Sequence, residues 1–478
     1  MIPVDLADVV ATTGATLVGS PTADRLAADV EVDSRLVQPG GLFVALPGER
    51  VDGHDHAATA VAAGAVAALT ARPVEGVPCL VVPDPLAAMQ ALARELWARP
   101  PEALTFGITG SSGKTSTKDL LAQVLAGFGP TLAPQGSFNN EIGLPLTALR
   151  RTPETRYAAL EYSARGIGHI AFLCGLVQPQ VAVVLNVGSA HLGEFGGREG
   201  IAQAKGELVE AARTAVVLNA DDRLVLGMRH RTDRPVTTFG LTSDADVVGS
   251  RVHVDEQGRA SFLLNGEPVR LQLSGEHHVH NALAVAAAVL GHVTDDVARV
   301  AELLSAAVPV SRWRMEVTER PDGVTVVNDA YNANPESMRA ALKTLAVMSA
   351  GKTRRTVAVL GHMAELGDDS REAHMDLGRY AVRLDIGQLV VVGEDAGGIH
   401  AGAVLEGSWG SESVHVPDAD AAVALLREEL APGDVVLVKA SRSAGLERVA
   451  AALLEPGLRG SGTVDTPPGT AGPSGAAP

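Results

Sequence analysis

The segment Gly107-Ile108-Thr109-Gly110-Ser111-Ser112-Gly113-Lys114-Thr115 concentrates residue types that can hold phosphate. Gly110 and Gly113, with Ser111 and Ser112 between them, let successive backbone N–H groups curl around anionic oxygens at the start of a helix. Lys114 then falls where an ammonium reaches the β- and γ-phosphates of a nucleotide, and Thr115 where a hydroxyl takes a place on Mg²⁺. The strict pattern G-x-x-x-x-G-K-[ST] asks for glycine where Ile108 stands, so a literal search misses this loop although its physics is intact. The bland alternative is a Gly/Ser turn ahead of a helix. Against it, an apolar strand over 104–108 leads directly into the glycines, and Lys-Thr falls at the helix start.

Such a loop needs a sheet to hold it. Further strand candidates follow at Tyr157–Glu161, 181–186 and Ala215–Asn219, separated by helical segments such as 200–212, and strands alternating with helices predict a mostly parallel α/β sheet. Ahead of this set, a helix-like run over 85–97 stops at Pro100-Pro101, which reads as a linker because neither proline continues a helix. After Pro309 a second set begins, with strands at 324–327, Thr356–Leu360, 389–392 and 435–438 and helices at 335–348, 370–384 and 419–430. That is the rhythm of a small doubly wound, Rossmann-like domain. The expected architecture is α/β in three domains, 1–100, 101–308 and 309–455, and the Gly/Pro/Ser/Thr/Ala-rich stretch 456–478 reads as a disordered tail.

Composition limits what such a chain can bind. With 478 residues the length favours about three domains. Lys and Arg number 39 against 56 Asp and Glu, a net charge of −17, so a broad basic surface for nucleic acid is excluded and any anion site must be local. Only 3% of residues are aromatic, so the cores must be built from Ala, Val and Leu, and stacking platforms for single strands are absent. Two cysteines, Cys79 and Cys174, make no disulfide framework and no zinc spacing, which fits a reducing cytoplasm. The start carries no basic-then-apolar leader, and the Ala-rich run 57–71 is too short to span a bilayer, so neither a secretory signal nor an integral membrane segment is expected.

Four further segments narrow the reading beyond "nucleotide": Gly136-Ser137-Phe138-Asn139-Asn140-Glu141-Ile142-Gly143-Leu144-Pro145, Glu161-Tyr162-Ser163-Ala164, Asn186-Val187-Gly188-Ser189-Ala190-His191-Leu192, and Ala204-Lys205-Gly206-Glu207. With them the chain resembles the Mur ligases, ATP-dependent amide-forming enzymes of peptidoglycan precursor synthesis. That family's own loop, G-x-T-G-[ST]-x-G-K-[ST], is met from Gly107 to Thr115, and the resemblance runs from Asp33 to about Leu446. It implies ATP as nucleotide and two Mg²⁺ ions, held by Thr115, Glu161 and His191. It also implies that Lys205 is carbamoylated by CO₂, so that a cation becomes an anion beside the metal and joins Lys114 and His191 in catalysis. On its residue type alone, Lys205 would be an exposed helix lysine paired with Glu207 or Glu210.

The stretch His277-His278-Val279-His280-Asn281-Ala282-Leu283-Ala284 is similar to the family's H-N-x-x-N-A-L-A helix, which assigns Asn281 to the nucleotide and puts His278 where the family has its first Asn. Its three histidines cannot share one helix face, which argues against a histidine metal site. Arg314 and Asp329 match the arginine and aspartate that the third domain directs at ATP, with Arg312 as the other arginine candidate. The segments 331–338, 361–367 and 438–442 resemble the branch that adds D-alanyl-D-alanine to UDP-N-acetylmuramoyl-tripeptide, and Asp33-Ser34-Arg35 with 39–48 resembles the N-terminal UDP-sugar domain. Substrate contacts are thereby expected from Ser34, Arg35, Asn139, Asn140, Asn332 and Asn334, in a monomeric enzyme. The rival readings are another amide ligase of the family, the diamino-acid-adding or folylpolyglutamate branch, and a nucleotide-binding protein without catalysis.

Overall fold

The computed structural model describes residues 1–48, 51–134, 136–188, 195–349, 354–407 and 412–455. The expected tail 456–478 lies outside the described residues, as does His191. The architecture is mixed α/β, with mostly parallel sheets flanked by helices.

In the central sheet the strands run, in spatial order, Thr131–Leu132, Tyr157–Glu161, Leu104–Thr109, Val181–Val184, Ala215–Asn219, Val236–Gly240 and Val247–Val254, each parallel to its neighbour. Tyr157–Glu161, Leu104–Thr109, Val181–Val184 and Ala215–Asn219 are near-continuous buried runs because helices cover both faces, whereas Val247–Val254 mixes buried and exposed residues. Their C-terminal ends, Thr109, Glu161 and Val184, therefore open towards one edge, where a parallel sheet places its ligands. Beyond them the sheet turns antiparallel through Arg259–Leu264 and Glu267–Ser274. Asn265 and Gly266 join these last two strands with φ of 46° and 96°, the two positive values that a tight hairpin turn requires.

The C-terminal sheet has the order Glu316–Glu319, Thr325–Asn328, Val435–Lys439, Thr356–Leu360, Gln388–Val392, Ser413–Val416, antiparallel only at the first pair. The N-terminal sheet orders Thr16–Val18, Cys79–Val81, Ala67–Thr70, Leu42–Val44 and Val30–Glu31. Helix Pro85–Ala98 follows it, started by Pro85 at its first turn and by the Asp84 carboxylate, which accepts from Leu86 N and Ala87 N. One apolar cluster runs without interruption from this part into the central one, through Leu92, Leu96, Leu146, Leu149 and Leu173. The C-terminal sheet has clusters of its own on its two faces.

Candidate active site

The strand Leu104–Thr109 feeds the glycine loop into helix Lys114–Ala126. Gly113 is left-handed, with φ of 81°, and a Cβ there would lie 2.7 Å from the Asn281 side-chain oxygen, so both backbone angle and neighbour demand glycine. Asn186, beyond the end of the neighbouring strand, holds the loop open: it accepts from Ser111 N through its carbonyl at 3.1 Å and from Ser112 N through its side chain at 2.9 Å. Gly188 N donates to Ser111 Oγ at 2.9 Å. The Lys114 ammonium folds back to donate to the Gly110 carbonyl at 2.6 Å. Burial pushes its pKa down, opposed by the carboxylate of Glu161.

Glu161 ends its strand fully buried. Its Oε2 accepts from Thr115 Oγ1 and from Asn139 Nδ2, each at 3.2 Å, whereas Oε1 has no hydrogen-bond partner among the described residues. Burial raises the Glu161 pKa, and Lys118, Arg314 and Lys114 pull it back. A buried acceptor without a donor, beside a threonine hydroxyl and a phosphate loop, has the chemistry of a Mg²⁺ position that substrate phosphates complete.

Lys205, on helix Arg198–Ala211, is 7% exposed rather than lying on the surface. The two glutamates that could pair with it are engaged elsewhere: Glu207 accepts from Gly168 N and Ala171 N, and Glu210 pairs with Arg231 at 2.8 Å. Burial first, and then the Lys114 charge, hold its pKa well below the ordinary lysine value, which favours the neutral amine.

Across a cavity of about 470 Å³ stands the C-terminal wall. Arg314 lines it, stacked 4.2 Å over the Tyr331 ring and donating to Ser137 Oγ at 3.0 Å, while Arg312 is exposed and outside the lining. This separates the two arginine candidates. Asp329 ion-pairs with Lys439 at 2.7 Å and accepts from Met315 N at 3.1 Å. Asn281 reaches the cavity from helix His278–Val289, its amide donating to His278 Nδ1 at 3.1 Å.

The expected substrate contacts divide. Asn139, Asn332 and Asn334 line the cavity, although Asn334 also accepts from Ser337 N at the start of helix Pro335–Ser349. Asn140 instead accepts from Ile142 N and Gly143 N, ahead of helix Gly143–Leu149. Ser34 and Arg35 sit after the N-terminal strand Val30–Glu31, with Arg35 exposed and held by Asp33 at 2.6 Å. The cavity groups to which the sequence assigns no role include Ser137, Lys439 and Asp221, the last bonded to His280 at 2.9 Å. Ser137 and Lys439 lie inside the motif segments 136–145 and 438–442, which assign neither of them a role; Lys439 carried a further signal, as a lysine ending an apolar strand.

Three family models match: the Mur ligase family catalytic domain over residues 28–95, the Mur ligase middle domain over 108–289, and the Mur ligase glutamate ligase domain over 313–442. UDP-N-acetylmuramoyl-tripeptide--D-alanyl-D-alanine ligase of Mycobacterium tuberculosis (strain ATCC 25618 / H37Rv) is 50% identical, covering 94% of this chain and 98% of its own length. The same-named enzyme of Escherichia coli (strain K12) is 37% identical, covering 90% and 94%. Among solved structures, MurF from Acinetobacter baumannii superposes with a TM-score of 0.83 at 31% identity over 95% of this chain and 99% of that one. MurF ligase from Thermotoga maritima in complex with ADP follows with 0.75 at 30%, covering 89% and 97%.

Proposed function

The chain belongs to the Mur ligase family, and from that premise we propose that it is the ATP-dependent ligase joining UDP-N-acetylmuramoyl-tripeptide to D-alanyl-D-alanine. The observation that carries this reading is the cavity itself: Lys114 and Thr115 from the central part, with Glu161 accepting from Thr115, meet Arg314, Asp329 and Lys439 from the C-terminal part, in a chain half identical along nearly its whole length to enzymes of that name.

The tripeptide's terminal carboxylate takes the γ-phosphoryl group of ATP, giving an acyl phosphate and ADP. The free amine of D-alanyl-D-alanine then attacks the acyl carbon, and the tetrahedral intermediate collapses to the amide with loss of phosphate and of the amine's proton. Charge moves between phosphate and carboxylate at each step, so the protein's task is positioning and electrostatics. The N–H groups of the 110–113 loop and the helix start cradle the phosphates. Lys114 exchanges its bond to the Gly110 carbonyl for phosphate oxygens, and Arg314, braced on Tyr331, offers two further donors from the opposite wall. Asn281, His280 and Asp329 orient the nucleotide. Mg²⁺, when bound, disperses phosphate charge, and Thr115 and Glu161 are the groups that hold it. Lys205, a buried amine with no counter-ion among the described residues, is suited to adding CO₂ with loss of one proton to solvent, and the carbamate would offer anionic oxygens to a second metal ion. The enzyme works in the cytoplasm as a monomer.

Release of ADP and phosphate, measured against a panel of UDP-muramoyl peptides and amine donors, tests the assignment. Turnover is expected only with the tripeptide and D-alanyl-D-alanine together. Turnover with the dipeptide precursor and a diamino acid, or with a folate and glutamate, would transfer the chain to another branch, and none with any pair would leave a nucleotide-binding protein.

A further inference from the structure

Ser137 stands between groups from opposite sides of the cavity. Its Oγ lies 3.0 Å from Thr115 Oγ1 and accepts from Arg314 Nη2 at 3.0 Å, and Thr115 in turn donates to Glu161 Oε2 at 3.2 Å. An arginine only donates and a carboxylate only accepts, so the two ends fix the direction of each hydrogen between them. The Arg314 N–H points to Ser137, the serine hydrogen goes to Thr115, and the threonine hydrogen goes to Glu161. One lone pair of Thr115 Oγ1 is left without a donor among the described residues.

Arg314 reaches this contact from a braced segment. Trp313 and Met315 on either side have φ of 59° and 50°, left-handed values that side-chain-bearing residues keep only where the surroundings hold them. Here Trp313 N donates to Glu316 Oε2 and Met315 N to Asp329 Oδ1, each at 3.1 Å, and the Arg442 guanidinium stacks 4.3 Å over the Trp313 ring. A strained backbone and the Tyr331 stack thus aim the guanidinium at one hydroxyl.

We propose that Ser137 is a positioning residue that couples the Thr115 hydroxyl of the phosphate loop to Arg314 of the C-terminal part, so that the two walls present their phosphate-binding groups as one unit. This rests on the roles given above to Thr115 and Arg314. Alanine at 137 would remove the hydroxyl through which the two groups are joined, leaving Thr115 bonded to Glu161 and Arg314 stacked on Tyr331. Threonine would keep the hydroxyl at a half-buried position.

A double-mutant cycle of Ser137→Ala with Arg314→Gln tests the coupling on the full chain with Mg²⁺. It reads kcat/KM for ATP and, by calorimetry, the affinity for a non-hydrolysable ATP analogue, with thermal melting as the check on folding. Ser137→Ala is expected to lower both quantities about tenfold in the wild-type background and to have no further effect beside Arg314→Gln, whereas Ser137→Thr stays within about twofold of wild type. A tenfold loss that persists undiminished beside Arg314→Gln, or wild-type behaviour of Ser137→Ala, overturns the coupling while leaving Arg314 in its role. Wild-type binding and turnover by Arg314→Gln alone would instead overturn the role of Arg314, and the proposal with it.

Discussion

Helix Pro85–Ala98 meets the central part through Leu92 and Leu96, which join Leu146, Leu149 and Leu173 in one apolar cluster, whereas helix Pro335–Ser349 faces the central part across a polar cavity. At the first junction Arg151, 2% exposed, donates to the carbonyls of Leu96, Arg99 and Pro101, and Arg150 pairs with Glu31 at 2.8 Å. At the second the described side-chain hydrogen bonds and ion pairs include individual polar contacts, Arg314 to Ser137 at 3.0 Å and Lys343 to Glu276 at 2.9 Å. Apolar burial makes a junction that separates only at large cost, at roughly 25 cal/mol per Å². Polar contacts can be exchanged for a ligand's. The proposed phosphate site lies at the junction whose contacts a nucleotide can replace.

The largest effect that this contrast predicts is loss of chemistry without loss of fold. Lys114→Ala should lower turnover more than about a hundredfold, since a transition-state donor is worth several kcal/mol. It should leave the melting temperature close to wild type, because the half-buried ammonium bonds only to the Gly110 carbonyl among the described residues. Phosphate release and a thermal melt on the same sample check both halves. Activity within about tenfold of wild type would remove the phosphate loop from the mechanism.

Next in size is Lys205→Ala. If the lysine works as a carbamate, turnover should fall by about two orders of magnitude and recover in part in high acetate, whose oxygens stand in for the missing ligand. Were Lys205 only a buried core residue, acetate would change nothing. A mass measurement on protein held in bicarbonate should also show the added CO₂.

Much of this polar junction is legible in the sequence. Gly110, Gly113, Lys114 and Thr115 sit at fixed spacing because backbone curvature and helix start are local properties, and Glu161 ends a strand whose bounds the sequence reads to the residue. Asn281 follows from a local motif as well, whereas the motif around Arg312 and Arg314 leaves both arginines open. Ser137 is not legible, since its partners Thr115 and Arg314 lie 22 and 177 residues away and come together only through the tertiary fold. Strands Val247–Val254, Arg259–Leu264 and Glu267–Ser274 were open to reading from the Asn265-Gly266 turn, but their half-buried alternation is weaker than the solid apolar runs around them. The burial of Lys205 has the same cause as the silence of Ser137. A helix position reveals its face locally, but not what later covers it.

The apolar junction should answer to stability instead. Arg151→Met keeps most of the side chain's apolar volume but leaves three carbonyls without their donor, which should cost about 3 kcal/mol or more in urea unfolding. The folded fraction should keep its KM for ATP, since Arg151 lies outside the cavity lining. A raised KM at unchanged stability would mean that the two junctions are not independent.

The smallest effect sharpens the contrast through pH. His277 and His278 line the cavity with ring centroids 4.2 Å apart; burial pushes His277 down to about 4 and His278 well below the ordinary histidine value. The geometry agrees, because the Asn281 amide donates to His278 Nδ1, which must therefore be unprotonated. In the unfolded chain both titrate near 6.5. Above that pH neither state binds a proton and the pair makes no contribution to pH dependence. Between about 6.5 and 4 the unfolded state binds protons that the folded state refuses, so stability falls as the pH falls. His278 is 3% exposed and can account for up to about 1.4 kcal/mol per pH unit across the steep part of that window. His278→Asn keeps a polar side chain that cannot titrate. Urea unfolding at pH 7.5 and pH 5 should therefore show a smaller acid loss in the variant than in the wild type, while Arg151→Met should shift both pH values equally. An acid loss identical in His278→Asn and wild type would mean that the proton sensitivity does not come from His278 at the cavity wall.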